Sequence, residues 1–162
     1  MPKIPKVIHF CWFGGAEYPD LIKNCMASWE KYLPEYEIVK WSEENFDVNC
    51  NQYVKEAYEN KKWAFITDYV RLYALYNYGG VYLDSDVEVL KPIDEFLDNE
   101  AFSGFESRDT VPTAIMASVK GQRFMGELLH DYDNRKLILE DGSIDMTANT
   151  VVITESCLKH GL

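Results

Sequence analysis

The sequence predicts an α/β fold in which a mixed, mostly parallel sheet is flanked by helices. Strand and helix patterns alternate along the first half of the chain, beginning with a nearly continuous apolar run at 6–13. The 162 residues have the length of one domain, and 47% of them are hydrophobic, which is enough for a packed core. We therefore expect a single domain over residues 1–162.

Each predicted element follows from a local pattern. After the apolar run, Pro19-Asp20 begins a helix and Pro34 ends it. The later patterns predict a strand at 36–41, helices at 52–60 and from 63, a strand from 81, a helical turn at 93–97, strands at 101–106 and 113–118, a helix at 122–132, a polar loop at 131–145 and a last helix at 148–160 that Gly161 stops.

The central helix is predicted by the spacing of its apolar residues. Phe65, Tyr69, Leu72 and Tyr76 recur every three or four residues and would form one apolar stripe. Gly79-Gly80 then supplies backbone conformations that end a helix and turn the chain sharply. We expect the chain to leave this turn as a strand.

Two carboxylates stand at the end of that strand. A period of two predicts that Tyr82, Asp84 and Asp86 share one face, with Ser85 facing away. At an effective dielectric of about 20, two unit charges ~4 Å apart repel by roughly 4 kcal/mol, so the pair needs a compensating charge. A divalent cation with all-oxygen ligands, Mg²⁺ or Mn²⁺, would supply it. The alternative is a solvated acidic loop, but the preceding Gly-Gly and apolar strand favour a site.

Asp68 and Arg71 are three residues apart and share one face of the helix. Alone they would suggest a surface ion pair worth a few tenths of a kcal/mol. Across the Gly-Gly turn from Asp84 and Asp86, they suggest a carboxylate and a planar guanidinium directed at hydroxyls and phosphates.

Composition narrows the class of partner and the compartment. The net charge is −11 and no Lys/Arg-rich run occurs, so we expect no nucleic-acid binding. The four cysteines form no Cys-x-x-Cys pair, which indicates free thiols in a reducing compartment. Without a signal peptide or a membrane-length apolar run, we expect a cytoplasmic protein with at most peripheral contact to the inner face of the membrane. His9, inside the first apolar run, is expected to be a core residue.

The segment from Ala64 to Val87 resembles a known family. Its pattern, A-x-x-T-D-Y-x-R-x-x-x-L-Y-x-Y-G-G-V-Y-L-D-S-D-V, is similar to the glycosyltransferases with a DXD sugar-binding motif. These include mannosyltransferase-like and capsular-polysaccharide enzymes and, more distantly, the glucosylating clostridial toxins. The opening PKVIHFCWFGG resembles that family's first strand. The resemblance implies a GT-A-type, Rossmann-like fold of the glycosyltransferase family 32 kind.

The resemblance also implies an activity and its ligands. It predicts retaining transfer of a hexose from a nucleotide-diphosphate sugar, with UDP favoured, to a polysaccharide or glycolipid acceptor. Asp86 would hold the Mn²⁺ or Mg²⁺ that bridges the donor phosphates. Asp84 would contact ribose and sugar hydroxyls and the waters of the metal. Asp68 and Arg71 would fix the transferred sugar.

Further residues are weaker candidates. By resemblance, Trp12 lies against the nucleobase, although most tryptophans are simply core residues. Tyr82, on the face of Asp84, is expected to line the nucleoside pocket. Asn149 is a candidate donor-sugar contact, with a helix N-cap as the alternative. Glu106, at a predicted strand end, is a candidate for the acceptor side.

Other functions and the extent of the chain stay open. Family members usually continue with a segment that carries His and Trp, so the chain ending at Leu162 is expected to be a fragment or a minimal form. A haloacid-dehalogenase-like phosphatase would use the first Asp as nucleophile, although here the motif is central and no Asp-Asp pair occurs. A module that binds metal and nucleotide sugar without transfer is the non-enzyme alternative.

Overall fold

The computed structural model describes residues 3–160, which form a five-stranded sheet of order β2-β1-β3-β5-β4. β1 pairs in parallel with both β2 and β3, whereas β5 runs antiparallel to β3 and β4. Four strands therefore share one direction, and the predicted mixed, mostly parallel α/β fold is confirmed. The strands are β1 (Val7–Cys11), β2 (Glu37–Trp41), β3 (Gly80–Leu83), β4 (Ala101–Ser103) and β5 (Ile115–Ser118).

The helices lie where the patterns predict them, and their ends differ from the predicted bounds by at most two residues. No helix within 3–160 is long and apolar enough to cross a membrane. Between α4 and α5 the chain has no helix and only an isolated bridge from Ile138 to Ile144, as expected of a polar loop. The helices are α1 (Asp20–Tyr32), α2 (Gln52–Glu59), α3 (Trp63–Tyr78), α4 (Arg123–His130) and α5 (Asn149–Lys159), with a 3₁₀ turn at Asp94–Phe96. The stop predicted at Gly161 lies outside the described residues.

α3 is buried on more of its circumference than a single apolar stripe. Tyr69 and Leu72 of the predicted stripe are buried, but Tyr76 is 36% exposed at its edge. Ile66 and Val70, outside the stripe, are fully buried. The predicted stripe covers only part of the buried surface because α3 packs against the sheet and also against α2 and α4. The helical period of the apolar residues predicts the face toward the sheet but not the contacts with the two helices.

His9, on β1, connects that strand to β2 and to the glycine turn after α3. It is 2% exposed; Nδ1 accepts from Trp41 Nε1 at 3.1 Å, and Nε2 donates to the carbonyl oxygen of Gly79 at 2.8 Å. Burial lowers the pKa of His9, although the bond to Gly79 opposes that shift. A Cβ on Gly80 would stand 2.6 Å from the carbonyl oxygen of Val7. The predicted core role of His9 is confirmed, and Gly80 is required for close backbone approach as well as for turning.

The four cysteines are free thiols, as expected. Cys11 and Cys25 are buried, and burial raises the pKa of both groups. These two residues therefore act as small apolar side chains.

Candidate active site

The chain turns directly after β3 and does not continue extended through Asp86, as the period of two had predicted. The amide of Asp84 still donates to the Ala114 carbonyl at 2.8 Å, and the amide of Val87 then closes a turn onto the Asp84 carbonyl at 3.0 Å. The turn forms here because the antiparallel ladder to β5 ends at Ala114, and Asp and Ser favour turns. As a result Ser85 lies in the wall of the adjoining cavity, where it was expected to face away.

A cavity of about 530 Å³ opens at this turn. It lies beyond the carboxyl ends of β1 and β3, where open α/β sheets bind ligands. Three carboxylates, Asp68, Asp84 and Asp86, line it, so the structure brings together the acidic residues that the sequence singled out. The other polar lining residues are Thr67, Arg71, Tyr82, Ser85, Thr113, Asn149 and Thr150.

Arg71 ties the helix to the turn and to the start of β5. It is 4% exposed, and its Nη1 donates to the Thr113 carbonyl at 2.6 Å. Nη2 lies 3.2 Å from Oδ1 of Asp84 and 3.4 Å from Oδ1 of Asp68. Burial disfavours its charge, but Tyr82, Asp84 and Asp68 outweigh that cost and raise the pKa of Arg71. Its donors are thus largely taken up within the protein, and the predicted contact with the sugar stays a prediction.

Tyr82 lies next to Asp84 in the wall of this cavity. It is 1% exposed and donates from its phenol to Oδ1 of Asp84 at 2.9 Å. The guanidinium carbon of Arg71 stands 4.8 Å from the centre of its ring. Burial raises the pKa of Tyr82 well above its ordinary value, so the phenol keeps its proton. The Tyr82 phenol therefore orients the Asp84 carboxylate, and the expected place of Tyr82 in a nucleoside pocket stays a prediction.

Asp68 and Asn149 are neighbours in the wall of the cavity. Burial raises the pKa of Asp68 to about 6; the charge of Arg71 and the nearby side-chain amide of Asn149 oppose this shift, while the charge of Asp84 adds to it. Asn149 is 6% exposed and belongs to the first turn of α5, whose N-cap is Ala148, so the N-cap alternative for Asn149 is wrong. Its Oδ1 accepts from the Tyr132 phenol at 3.4 Å, but its Nδ2, although near the Asp68 carboxyl, makes no close hydrogen bond to any residue within 3–160. A buried amide donor without a partner is costly, which suggests a ligand acceptor here.

Trp12 lines a second, smaller cavity of about 280 Å³ next to the first. Trp12 and Trp63 supply aromatic walls, and Cys11, Thr67 and Ser85 line both cavities, so the two spaces adjoin. The Trp12 ring meets Tyr18 edge to face at 4.9 Å, and its Nε1 donates to the Ala16 carbonyl at 2.7 Å. Trp12 is therefore held beside the smaller cavity and is not part of the closed core.

The carboxylates at the turn fit a cation shared with a ligand. Within residues 3–160, no three His, Cys, Asp or Glu side chains cluster closely enough to hold a metal alone. Asp84 and Asp86 offer carboxylate oxygens, and Asp86 is exposed and makes no hydrogen bond or ion pair to the described residues. Mg²⁺ and Mn²⁺ accept such oxygen donors, and Mg²⁺ usually binds through one or two carboxylates together with substrate phosphates. This donor set fits that arrangement and does not fit an all-protein metal cage.

One predicted site residue, Glu106, lies away from both cavities, and three residues that line the larger cavity were not predicted from the sequence. Glu106 is exposed in a turn whose amide donates to the Thr110 carbonyl at 3.0 Å, and it lines neither cavity. Thr67, Ser85 and Met146 line the larger cavity but were not predicted to do so. Thr67 and Ser85 each adjoin a predicted Asp, and that adjacency was the available signal. Nothing in the polar 131–145 loop and the residues after it pointed to Met146.

Comparison with known proteins decides the family. Residues 19–103, just over half of the chain, match the family described as "Glycosyltransferase sugar-binding region containing DXD motif". The chain belongs to this family. The matched region contains Asp68, Arg71 and the Asp84-Ser85-Asp86 turn.

Individual relatives agree with the family. Inositol phosphoceramide mannosyltransferase 3 of Schizosaccharomyces pombe (strain 972 / ATCC 24843) is 29% identical over 136 residues, which cover 79% of this chain and 37% of that protein. Inositol phosphoceramide mannosyltransferase 1 of the same organism is 31% identical over 116 residues, covering 63% of this chain and 34% of that one. The chain thus spans about a third of the length of these relatives.

A solved structure supports the fold. The chain is similar to the PaToxG glycosyltransferase, with a TM-score of 0.68 and 15% identity over 98% of this chain and 70% of that one. At this identity the likeness concerns the fold alone. The resemblance to DXD glycosyltransferases is confirmed, and a GT-A-type fold is consistent with these findings.

Proposed function

We propose that this DXD glycosyltransferase chain binds a nucleotide-diphosphate sugar with a divalent cation and transfers the hexose with retention of configuration. One observation carries the proposal: the carboxylates of Asp84 and Asp86, the carboxyl of Asp68 and the unpaired amide of Asn149 surround one cavity. The cavity adjoins a smaller one with aromatic walls. Together the two cavities and the turn between them offer places for the base, the diphosphate and the sugar of such a donor.

The donor would lie across the two cavities. Its base would occupy the smaller cavity against Trp12, where stacking is worth about 1–3 kcal/mol per base. Its diphosphate would lie at the Asp84-Ser85-Asp86 turn, and its sugar in the larger cavity. UDP is proposed as the nucleotide because of the family resemblance.

Asp86 and Asp84 would hold Mn²⁺ or Mg²⁺ at the turn. When bound, the cation neutralises the charge that develops on the departing diphosphate. Within the protein, Arg71 and Tyr82 fix Oδ1 of Asp84, so this carboxylate is oriented before any ligand arrives. Asp86 has no hydrogen-bond or ion-pair partner between residues 3 and 160, so it is available to the cation.

Asp68 and Asn149 would orient the transferred sugar. An ionised Asp68 accepts hydrogen bonds from sugar hydroxyls, and the Nδ2 group of Asn149 donates one. The Arg71 guanidinium, 3.4 Å from Asp68, favours the ionised form needed for this role. The retaining outcome rests on the family resemblance, and the anomeric configuration of the product, read by NMR, tests it.

The acceptor is proposed to be a glycolipid. The two similar proteins are named as mannosyltransferases of inositol phosphoceramide, which favours a glycolipid over a polysaccharide as the acceptor. Contact with the membrane that holds such an acceptor would be peripheral. Because the chain spans about a third of those relatives, no residue is assigned to the acceptor side.

A thermal-shift panel followed by product analysis tests the proposed function. UDP-glucose and GDP-mannose, with and without Mn²⁺, should include a donor that raises the melting temperature only with the metal. Donor hydrolysis or transfer must accompany binding, because binding without turnover would identify the chain as a binding module. Hydrolysis of p-nitrophenyl phosphate that is lost in Asp84→Asn would favour the phosphatase. No metal-dependent shift with either donor would contradict the proposal.

A further inference from the structure

Glu56 is a buried carboxylate outside both cavities. It lies on α2 and is 7% exposed, although its neighbours Tyr53 and Ala57 are apolar core residues. Carboxylates are rarely buried unless they are paired or well hydrogen-bonded, so its contacts need an explanation. No lysine or arginine forms an ion pair with it in the part of the chain that the structure describes.

The partners of Glu56 are backbone amides of a distant loop. Its Oε2 accepts from the amides of Leu137 and Ile138, both at 2.8 Å, and its Oε1 accepts from Nε2 of Gln52 at 2.7 Å. Burial raises the pKa of Glu56, but these donors outweigh it and leave the pKa below the ordinary value. Hydrogen bonds to an ionised group are about twice as strong as neutral ones. We refer to Glu56 with the two loop amides as the clamp.

The clamped residues lead directly to the larger cavity. The Leu137 carbonyl accepts from the amide of Asp145 at 2.8 Å, and Oδ1 of Asp145 accepts from the amide and hydroxyl of Thr147 at 3.0 and 2.6 Å. Arg135 approaches Oδ2 of Asp145 at 3.7 Å. Met146 and Asn149, on either side of Thr147, line the cavity. Hydrogen bonds thus run from Glu56 through Leu137 and Asp145 to Thr147, which lies between the lining residues Met146 and Ala148.

We infer that Glu56 is a positioning residue for sugar recognition: by clamping Leu137 and Ile138 it fixes the loop that places Asn149 and Met146 against the donor's sugar. The inference rests on the proposed function, because it takes the larger cavity to hold that sugar. Neither the Asp84-Ser85-Asp86 turn nor the Trp12 cavity is in contact with the clamp. The clamp therefore acts on the sugar and leaves the nucleotide unaffected.

The test compares nucleotide with nucleotide sugar. In the full chain with Mn²⁺, Glu56→Ala should weaken UDP-glucose binding by about tenfold, the scale of losing one hydrogen bond to a charged group, and leave UDP binding unchanged. GDP and GDP-mannose form a second matched pair. Hydrogen exchange at the amides of Leu137 and Ile138 should accelerate by a similar factor, about tenfold.

Three further variants separate positioning from general stability. Glu56→Gln keeps an oxygen that accepts from both amides and should restore most of the sugar-dependent affinity. Glu56→Asp keeps the charge but withdraws the oxygens by one methylene, so its binding and exchange should resemble those of Glu56→Ala. This variant tests the positioning role if Glu56→Ala does not fold. Glu59→Ala, an exposed glutamate on the same helix, is the control and should change neither measurement.

Equal weakening of UDP and UDP-glucose in Glu56→Asp would overturn the inference, because it would show a general structural role. Unchanged exchange at Leu137 and Ile138 would show that no clamp exists. A wild-type chain that binds none of the four nucleotides would contradict the proposed function instead, and the exchange measurement would still decide whether the clamp exists.

Discussion

Tyr82 donates a 2.9 Å hydrogen bond from its buried phenol to Oδ1 of Asp84, two residues further along the chain. The same oxygen lies 3.2 Å from Nη2 of Arg71 on the central helix. The first carboxylate of the Asp-x-Asp turn is therefore held by strand and helix together. The second, Asp86, is exposed and has no partner among the described residues. This asymmetry indicates that Asp84 is preorganised, whereas Asp86 remains available to a ligand.

Tyr82→Phe should test the orientation of Asp84. Loss of the phenol removes one donor from Oδ1 and should lower the free energy of unfolding by about 1 kcal/mol. Donor affinity should fall severalfold, because the carboxylate can then rotate. Urea unfolding and titration calorimetry measure the two effects. Tyr78→Phe, at a tyrosine that is 55% exposed, is the control, and a Tyr82→Phe affinity equal to that of the control would contradict the assigned role.

Asp68→Asn should lose donor binding and raise the stability of the fold near neutral pH. The folded pKa of Asp68, about 6, lies above the ordinary aspartate value of 3.8, so ionisation on raising the pH through this window costs folding free energy. The neutral amide avoids that cost, which is about 2 kcal/mol after allowance for partial exposure. The variant should therefore melt higher than the wild type at about pH 7.5 but not at about pH 4, and it should lose donor binding.

The wild type provides a second test of the same residue. Donor affinity should fall as the pH is lowered through about 6, because protonated Asp68 accepts hydroxyl hydrogen bonds poorly. Calorimetry across this range measures the change. An Asp68→Asn variant that melts lower than the wild type at every pH, or that still binds the donor, would show that the carboxyl is structural.

His9→Leu should show a stability loss that depends on pH. Neutral His9 accepts from Trp41 and donates to Gly79, and burial holds its folded pKa below the ordinary histidine value of 6.5. The stability it contributes is complete above about pH 6.5 and is lost as the pH falls toward the folded pKa. The difference in unfolding free energy between wild type and variant should therefore narrow from about pH 7.5 to about pH 5.5. A difference that stays constant would contradict the neutral assignment.

Gly80→Ala should be far more destabilising than Gly142→Ala. Both glycines have positive φ, 123° and 82°, but a Cβ on Gly80 would meet the Val7 carbonyl oxygen at 2.6 Å, whereas Gly142 faces open space. The backbone conformation alone costs about 1 kcal/mol, and the clash at Gly80 should add at least about 2 kcal/mol. Chemical denaturation of both variants gives the comparison. Equal losses would show that the turn can relax around Gly80.

Local pattern was sufficient to predict most of the fold. Helix spacing, the Gly-Gly turn and strand alternation located each element to within a few residues. Asp68, Arg71, Asp84 and Asp86 reach one cavity because α3 and β3 follow each other directly in the sequence. These features depend on interactions within a few residues, or on the meeting of parallel strand ends at one sheet edge.

The remaining features depend on partners distant in sequence. The turn at Asp84 forms because its ladder partner ends at Ala114, and Arg71 is held by the Thr113 carbonyl as well as by the aspartates. Glu56 acquires its role from amides more than 80 residues away. Its position three residues after Tyr53, on the apolar face of α2, was the one sequence signal that a buried carboxylate needed an explanation.

Calorimetric titration of Asp86→Asn with UDP-glucose and Mn²⁺ tests the central claim most directly. The variant should keep the wild-type circular dichroism spectrum, since Asp86 is exposed and makes no hydrogen bond or ion pair to a described residue, but its metal-dependent affinity should fall by at least about tenfold. Glu88→Gln removes an equal charge from a nearby exposed position and should bind like the wild type. A wild type that binds with Mn²⁺, together with an unaltered affinity in Asp86→Asn, would contradict the assignment of this turn as the metal and diphosphate site.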